Sequence, residues 1–201
     1  MRRRAIFLDR DGTINIDTGY ISAVEQFQLY DFAAPAIRLI NQSGWLAIVV
    51  TNQAVIGRGL CREEDVAGIH AIMSQRLAID GARIDAVYFC PHYPPEDGAT
   101  AAGLRVECEC RKPRPGLIRQ AGQDHALDLD SCWMIGDRYR DLAAGFAAGT
   151  RGLLVRTGHG STEYERDRAG WARQPDGVAA NLYEAVGLIL QLDRPRNEED
   201  Q

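Results

Sequence analysis

The chain has 201 residues, 45% of them hydrophobic and 25% charged, which suits a globular domain with its own core and excludes a disordered segment. A formal net charge of −5 excludes the basic footprint of a nucleic-acid binder; the basic run at residues 2–4 reads as a solvated lead-in to the first strand. No apolar run approaches a membrane span, and none near the start matches a signal-peptide core, so the expectation is a cytoplasmic protein.

Ala5 to Leu8 is a short apolar run that suits a buried strand of a parallel sheet. It ends in Asp9-Arg10-Asp11-Gly12-Thr13, which puts two carboxylates at the carboxyl end of a strand, where open α/β sheets bind ligands. Two nearby carboxylates repel each other, so the pair makes most sense around a hard cation. A turn-rich stretch follows, with Asp17-Thr18-Gly19-Tyr20 as a loop. Ala33 to Gln42 reads as a helix, with Pro35 in its first turn and Gly44 past its end. Leu46 to Val50 is a second buried strand, ending in Thr51-Asn52-Gln53, and Gly57-Arg58-Gly59 is a flexible loop. A long helix covers about residues 62–80, with Val66, Ile69, Met73 and Leu77 on one face.

Ile84 to Phe89 is a third strand that runs into Cys90-Pro91-His92, followed by an irregular Pro- and Gly-rich stretch. Arg111-Lys112-Pro113 opens a helix to about His125. Cys132 to Ile135 is a fourth strand ending in Gly136-Asp137; a short helix to Ala147 and a fifth strand at Gly152 to Val155 follow. Asn181 to Leu192 is the last helix, and residues 194–201 are a charged tail expected to be mobile. Strand and helix alternate throughout, without repeat or linker. This predicts one α/β domain over residues 1–201, a doubly wound parallel sheet with a loop insertion at about 90–112.

Cys90-x-His92 and Cys108-x-Cys110 together offer three thiolates and an imidazole, a complete tetrahedral set for a structural Zn²⁺. The one-residue spacing is tighter than in zinc fingers, and buried thiols or a redox pair are the alternatives; a reducing cytoplasm disfavours the disulfide. Cys61 and Cys132 read as small core or boundary residues.

Asp9-x-Asp11, Thr51, Lys112 and Gly136-Asp137-x-x-x-Asp141, in that order, resemble the four signatures of the haloacid dehalogenase superfamily of phosphohydrolases. The resemblance implies a Rossmann-like fold with a minimal cap. It implies Asp9 as the nucleophile that becomes an aspartyl-phosphate, and Asp11 as general acid and then base. Mg²⁺ would be held by Asp9, Asp137 and the main-chain carbonyl of Asp11, while Thr51 and Lys112 neutralise the transferring oxygens. Asp11 must carry a proton in the first step, which neighbouring negative charge would favour. Asp141 either orients a metal-bound water or is a solvated helix acid. Lys112 is the only lysine in the chain, a bias that a compact ammonium at a tight phosphate site explains.

Further segments, among them Arg58-Gly59 and Val155-Arg156-Thr157-Gly158, resemble a branch of that superfamily whose loops read a small phosphorylated sugar, with histidinol phosphate as the alternative substrate. Carried onto this chain, Asp17, Thr18, Gly19, Tyr20, Asn52, Gln53, Ala54, Arg58, Arg111 and Arg138 would bind substrate. Arg111 suits a distal phosphate because its planar fork matches phosphate oxygens. Ala54 and Val55 stand where that branch usually has Ser and Gly, and Arg138 where it has Lys, which leaves the substrate and anomer open. A monomer fits this reading, and the sequence fixes no oligomeric state. A non-catalytic sugar-phosphate binder would be expected to lose Asp9, Asp11 or Lys112, and all three are present.

Overall fold

The computed structural model describes residues 3–93 and 103–193; part of the expected insertion and the charged tail lie outside the described residues. Its strands are β1 Ala5–Leu8, β2 Leu46–Asn52, β3 Ala86–Cys90, β4 Trp133–Gly136, β5 Arg151–Val155 and β6 Gly177–Ala179. They form one six-stranded sheet in the order β3-β2-β1-β4-β5-β6, every neighbouring pair parallel. The helices are α1 Ala33–Gln42, α2 Ala54–Gly57, α3 Glu63–Ile79, α4 Gly116–Asp124, α5 Tyr139–Ala148, α6 Gly160–Asp167 and α7 Leu182–Leu192.

The central strands are apolar at every position because both faces of the sheet are covered. Side chains alternate, so Ile6, Leu8, Val49 and Ile135 join one core with Ile37 and Ile40 of α1, Ile69 and Met73 of α3, and Val186 and Ile189 of α7. Phe7, Ile48, Val50 and Met134 join the other core, under Leu117, Ile118 and Ala121 of α4 and Ala144 of α5. The strand order reverses direction between β1 and β4, so the connections part there and leave a crevice at the carboxyl ends of these two strands. The motif Asp9–Thr13 and the pair Gly136-Asp137 both open onto it.

Four elements differ from expectation, the first being α2, a single helical turn that takes in Gly57 of the expected loop. β6 has three residues and begins with glycine, and α6 is polar except for one tyrosine, so neither carries an apolar period. The helix expected from Arg111 begins at Gly116. Pro113 and Pro115 disfavour helical geometry at the residues before them. The Arg114 N–H bonds Arg111 O at 2.9 Å and the Gly116 N–H bonds Glu109 O at 2.9 Å, closing a turn instead. Asn181 caps α7, its Oδ1 accepting from the Glu184 N–H at 3.1 Å, worth about 1 kcal/mol.

Candidate active site

Asp9 leaves the end of β1 with its N–H bonded to Ile135 O on β4 at 2.9 Å, which fixes it across the crevice. Its Oδ1 lies 2.6 Å from Lys112 Nζ. The ammonium also donates to Val50 O at 2.8 Å and meets Asp141 Oδ1 at 2.8 Å, which uses all three of its hydrogens. Lys112 is only 3% exposed. Burial works against its charge, but the carboxylates of Asp141 and Asp9 outweigh that and raise its pKa. Burial pushes the Asp9 carboxyl up to about 6; Lys112 pulls the other way, while Asp141 and Asp11 add to the rise.

Asp137 follows β4 and is fully buried. Its Oδ2 accepts from the His159 N–H at 2.8 Å, while Oδ1 is buried without a hydrogen-bond partner. Burial and then the charges of Asp141 and Asp9 hold this carboxyl well above the usual range. One oxygen from each of Asp9, Asp137 and Asp141 falls within 4.8 Å of the others. Three buried carboxyl groups gather near one ammonium, the raised pKa values of Asp9 and Asp137 mark their negative charge as poorly compensated, and Asp137 Oδ1 has no partner beside them. That donor set fits a hard divalent cation.

The backbone around Asp137 is cut to size. A Cβ on Gly12 would sit 2.4 Å from Asp137 Oδ2, and one on Gly158 would sit 2.3 Å from it. Both glycines also have positive φ, +86° and +54°. Asp141 is 1% exposed, so its alternative as a solvated helix acid does not hold. It is shared: Oδ1 faces Lys112, and Oδ2 accepts from the Arg138 N–H at 3.1 Å at the start of α5.

Asp11 lines the same cleft and is held by five donated bonds. Arg10 supplies three, from Nε at 3.0 Å and from Nη2 to both oxygens at 2.8 Å; Asn15 Nδ2 and Gln53 Nε2 supply the others at 3.0 Å. The closest charge to Asp11 is therefore a guanidinium, where the sequence led us to expect negative neighbours. Gln53 Nε2 also donates to Thr51 Oγ1 at 2.9 Å, so the Asp11 carboxylate and the Thr51 hydroxyl are tied through one amide.

The cleft, about 430 Å³, is lined at one side by Asp9, Asp11, Thr51, Asn52, Gln53 and Ala54. Asp17, Gly19, Tyr20, Arg58, Arg111 and Arg138 line the other parts. Thr18 does not line it: Asp17 Oδ1 accepts from the Gly19 N–H at 2.8 Å, and this turn leaves Thr18 exposed. Asn52 lines the wall, but its amide is occupied by Lys112, giving to the Lys112 carbonyl at 3.1 Å and taking from its N–H at 3.0 Å. It holds the lysine loop. Arg58 lies over the rings of Tyr20 and Tyr93, 4.5 and 4.3 Å from their centroids, and bonds the Tyr93 hydroxyl.

Sequence reasoning missed two groups here. Arg140 lines the cleft from the first turn of α5, three residues after Asp137; that spacing was the available signal. His159, in the loop after β5, places its Nε2 3.2 Å from Asp17 Oδ2. Burial lowers the Arg111 pKa, and Arg140 beside it adds to the effect, so two guanidinium groups share this part of the cleft.

The cysteine–histidine cluster assembles as its sequence suggests. Cys90 Sγ is 3.6 Å from His92 Nδ1 and from Cys108 Sγ, and Cys110 Sγ is 3.1 Å from both Cys90 Sγ and His92 Nδ1. Ligands around zinc lie about 3.7 Å apart on the edges of a tetrahedron, and these four groups are close to that. The three cysteines are free thiols, with no disulfide among the described residues. Burial pushes the Cys90 and Cys110 thiols up, so a bound metal would have to displace their protons. The cluster therefore suits a metal, and it abuts the segment that carries Lys112: Arg111 Nη1 donates to His92 O at 3.1 Å.

A parallel sheet whose switch point gathers buried acids around a single lysine is the architecture of the haloacid dehalogenase-like phosphatases, and the chain belongs to that family. Residues 109–185 match the family model described as HAD-hydrolase-like. The chain is 41% identical over 169 residues to the D-glycero-beta-D-manno-heptose-1,7-bisphosphate 7-phosphatase of Yersinia pestis, covering 83% of this chain and 88% of the relative. It is 38% identical over 197 residues to the D-glycero-D-manno-heptose-1,7-bisphosphate 7-phosphatase of Thermosynechococcus vestitus, covering 98% and 100%. Among solved structures it resembles the D,D-heptose 1,7-bisphosphate phosphatase of B. bronchiseptica, complexed with magnesium and phosphate. There the TM-score is 0.81 and the identity 31%, over 94% of this chain and 99% of that one.

Proposed function

We propose that the chain is a Mg²⁺-dependent phosphomonoesterase that removes the 7-phosphate of D-glycero-D-manno-heptose 1,7-bisphosphate. The observation that carries this is the Lys112 ammonium bonded at once to Asp9 and Asp141 in the switch-point crevice. Asp9, Asp137 and the Asp11 carbonyl would hold Mg²⁺, with Asp141 close by. Bound there, the ion cancels the repulsion between an anionic nucleophile and a phosphate dianion.

An Asp9 oxygen attacks phosphorus in line, and the bond from phosphorus to the sugar oxygen breaks. Asp11 gives its proton to that oxygen, then takes one from the water that hydrolyses the aspartyl-phosphate and frees Asp9 and inorganic phosphate. Lys112 keeps Asp9 oriented, and with Thr51 offsets charge on the transferring group. Arg111, Arg58, Arg138 and Arg140 give the cleft the positive charge that a second phosphate requires. Zn²⁺ on Cys90, His92, Cys108 and Cys110 would pin the segment that delivers Arg111 and Lys112. Such thiolates persist in a reducing compartment, which supports a cytoplasmic enzyme.

The test is phosphate release from heptose 1,7-bisphosphate and from histidinol phosphate with Mg²⁺, for the native protein and Asp9→Asn. The expected result is release by the native protein alone, with kcat/KM higher for the heptose. Preference for histidinol phosphate would overturn the substrate, and equal release by Asp9→Asn would overturn the nucleophile.

A further inference from the structure

We propose that His70 is a positioning residue for Asp11, acting through Arg10. The inference rests on Asp11 serving as the general acid. Arg10 stands between the two acids of the opening motif and has no exposed surface. A buried guanidinium is costly unless its donors find acceptors. Nε and Nη2 are satisfied by Asp11 at 2.8–3.0 Å, and Nη1 meets His70 Nε2 at 3.2 Å. A guanidinium has no lone pair to offer, so it donates and Nε2 accepts. That makes the ring neutral, with its proton on Nδ1.

His70 arrives from the middle of α3, sixty residues away in the chain, and is 8% exposed. Its ring packs against Phe89 of β3, with centroids 5.6 Å apart. Burial, and then the Arg10 charge, lower its pKa to about 4, in keeping with the neutral acceptor that the geometry requires. The guanidinium is thus pinned at both ends, to Asp11 on one side and to a rigid helix on the other. Without His70, Nη1 loses this acceptor and the fork is free to turn about its bonds to Asp11. A general acid works only where its proton meets the leaving oxygen, so a small tilt of the carboxyl reaches the chemistry directly. No substrate contact by His70 is implied.

The experiment uses the leaving group to separate positioning from packing. For a reaction through a phospho-enzyme, kcat/KM reports the steps up to departure of the alcohol. A sugar alkoxide needs a proton to leave, whereas p-nitrophenolate, with a pKa of about 7, hardly does. The full chain with Mg²⁺ is assayed on the sugar bisphosphate and on p-nitrophenyl phosphate, with Asp11→Asn as the benchmark. We expect His70→Leu to lower kcat/KM on the sugar bisphosphate about 10-fold or more, with less than a 3-fold change on p-nitrophenyl phosphate. Gln places an oxygen where Nε2 stood, so His70→Gln should restore most of the loss. Arg10→Lys, which keeps the charge and loses the fork, should copy His70→Leu and stands in for it should that variant not fold. Equal losses on both esters, no loss on either, or no rescue by His70→Gln would overturn the proposal. If Asp11→Asn itself shows no dependence on leaving group, the general-acid reading fails instead, and the two failures are told apart.

Discussion

The chain carries 23 basic residues, and its single lysine is the one placed where three acceptors converge. Asp9, Asp141 and Val50 O surround Nζ as a compact point charge requires, and no planar fork satisfies three such directions from one atom. Lys112→Arg should therefore lower kcat by about 100-fold or more, the loss expected when a preorganised charge is misplaced. Steady-state kinetics check this, and activity within a few-fold of native would refute it. His70 supports a prediction of opposite character, about stability and pH. Its pKa is about 4 when folded against about 6.5 when unfolded. The folded state then binds fewer protons between those values, so this contribution is complete above pH 6.5 and is lost as pH falls towards 4. Its size is about 3 kcal/mol, from the shift at 1.36 kcal/mol per unit. Asp9 works the other way, since a carboxyl raised to about 6 favours the folded state below that pH. The difference between native and His70→Gln in urea midpoint, followed from pH 7 to 4, isolates the histidine. A constant difference over that range would show that His70 is not held neutral.

At the scale of elements, the segment between β3 and α4 does two jobs with one backbone. Its cysteines and His92 make the candidate metal centre, and the next residues supply Arg111 and Lys112. Asn52 at the end of β2 clasps Lys112 from the other side through both of its backbone groups. Removing the metal, by a strong chelator or by Cys108→Ser, should loosen the first support while the second remains. The expected cost is about 3 kcal/mol, roughly 6–12 °C in Tm for a chain of this size, with kcat falling at temperatures where the fold persists. Calorimetry and activity on the same sample check both. Unchanged Tm and kcat after complete removal of any metal held there would show that the cluster stabilises nothing. Sequence pattern made this cluster legible, because its cysteines and histidine come in two close pairs. It could not reveal Asn52 as a brace for Lys112: that contact joins residues sixty positions apart, and nothing in Thr51-Asn52-Gln53 distinguishes a substrate ligand from a support.

For the whole molecule, five of six strands were readable because a doubly covered sheet demands continuous apolar runs, and the acids at their ends marked the crevice. What was not readable is cooperative. The Arg10–His70 contact, the Gly158 backbone against Asp137 and the approach of Asp141 to Lys112 exist only once the sheet has closed. That closure also stores an imbalance, since Asp9, Asp137 and Asp141 converge, only Asp9 and Asp141 meet the Lys112 ammonium, and the Asp137 Oδ1 has no partner. Function and stability should therefore diverge at Asp137. Asparagine there keeps an acceptor for the His159 N–H and removes a carboxyl that burial and its acidic neighbours disfavour when charged. Metal-free Asp137→Asn should then melt higher than the metal-free native protein. Mg²⁺ should reverse the order: at a hundred times its Kd it adds about 2.7 kcal/mol to the native protein, roughly 5–11 °C, and little to the variant. Thermal unfolding of both proteins against Mg²⁺ concentration checks this, and parallel curves for the two would mean that Asp137 does not hold the ion. A variant less stable than native before any metal is added would mean that the buried acids are compensated by something other than a cation.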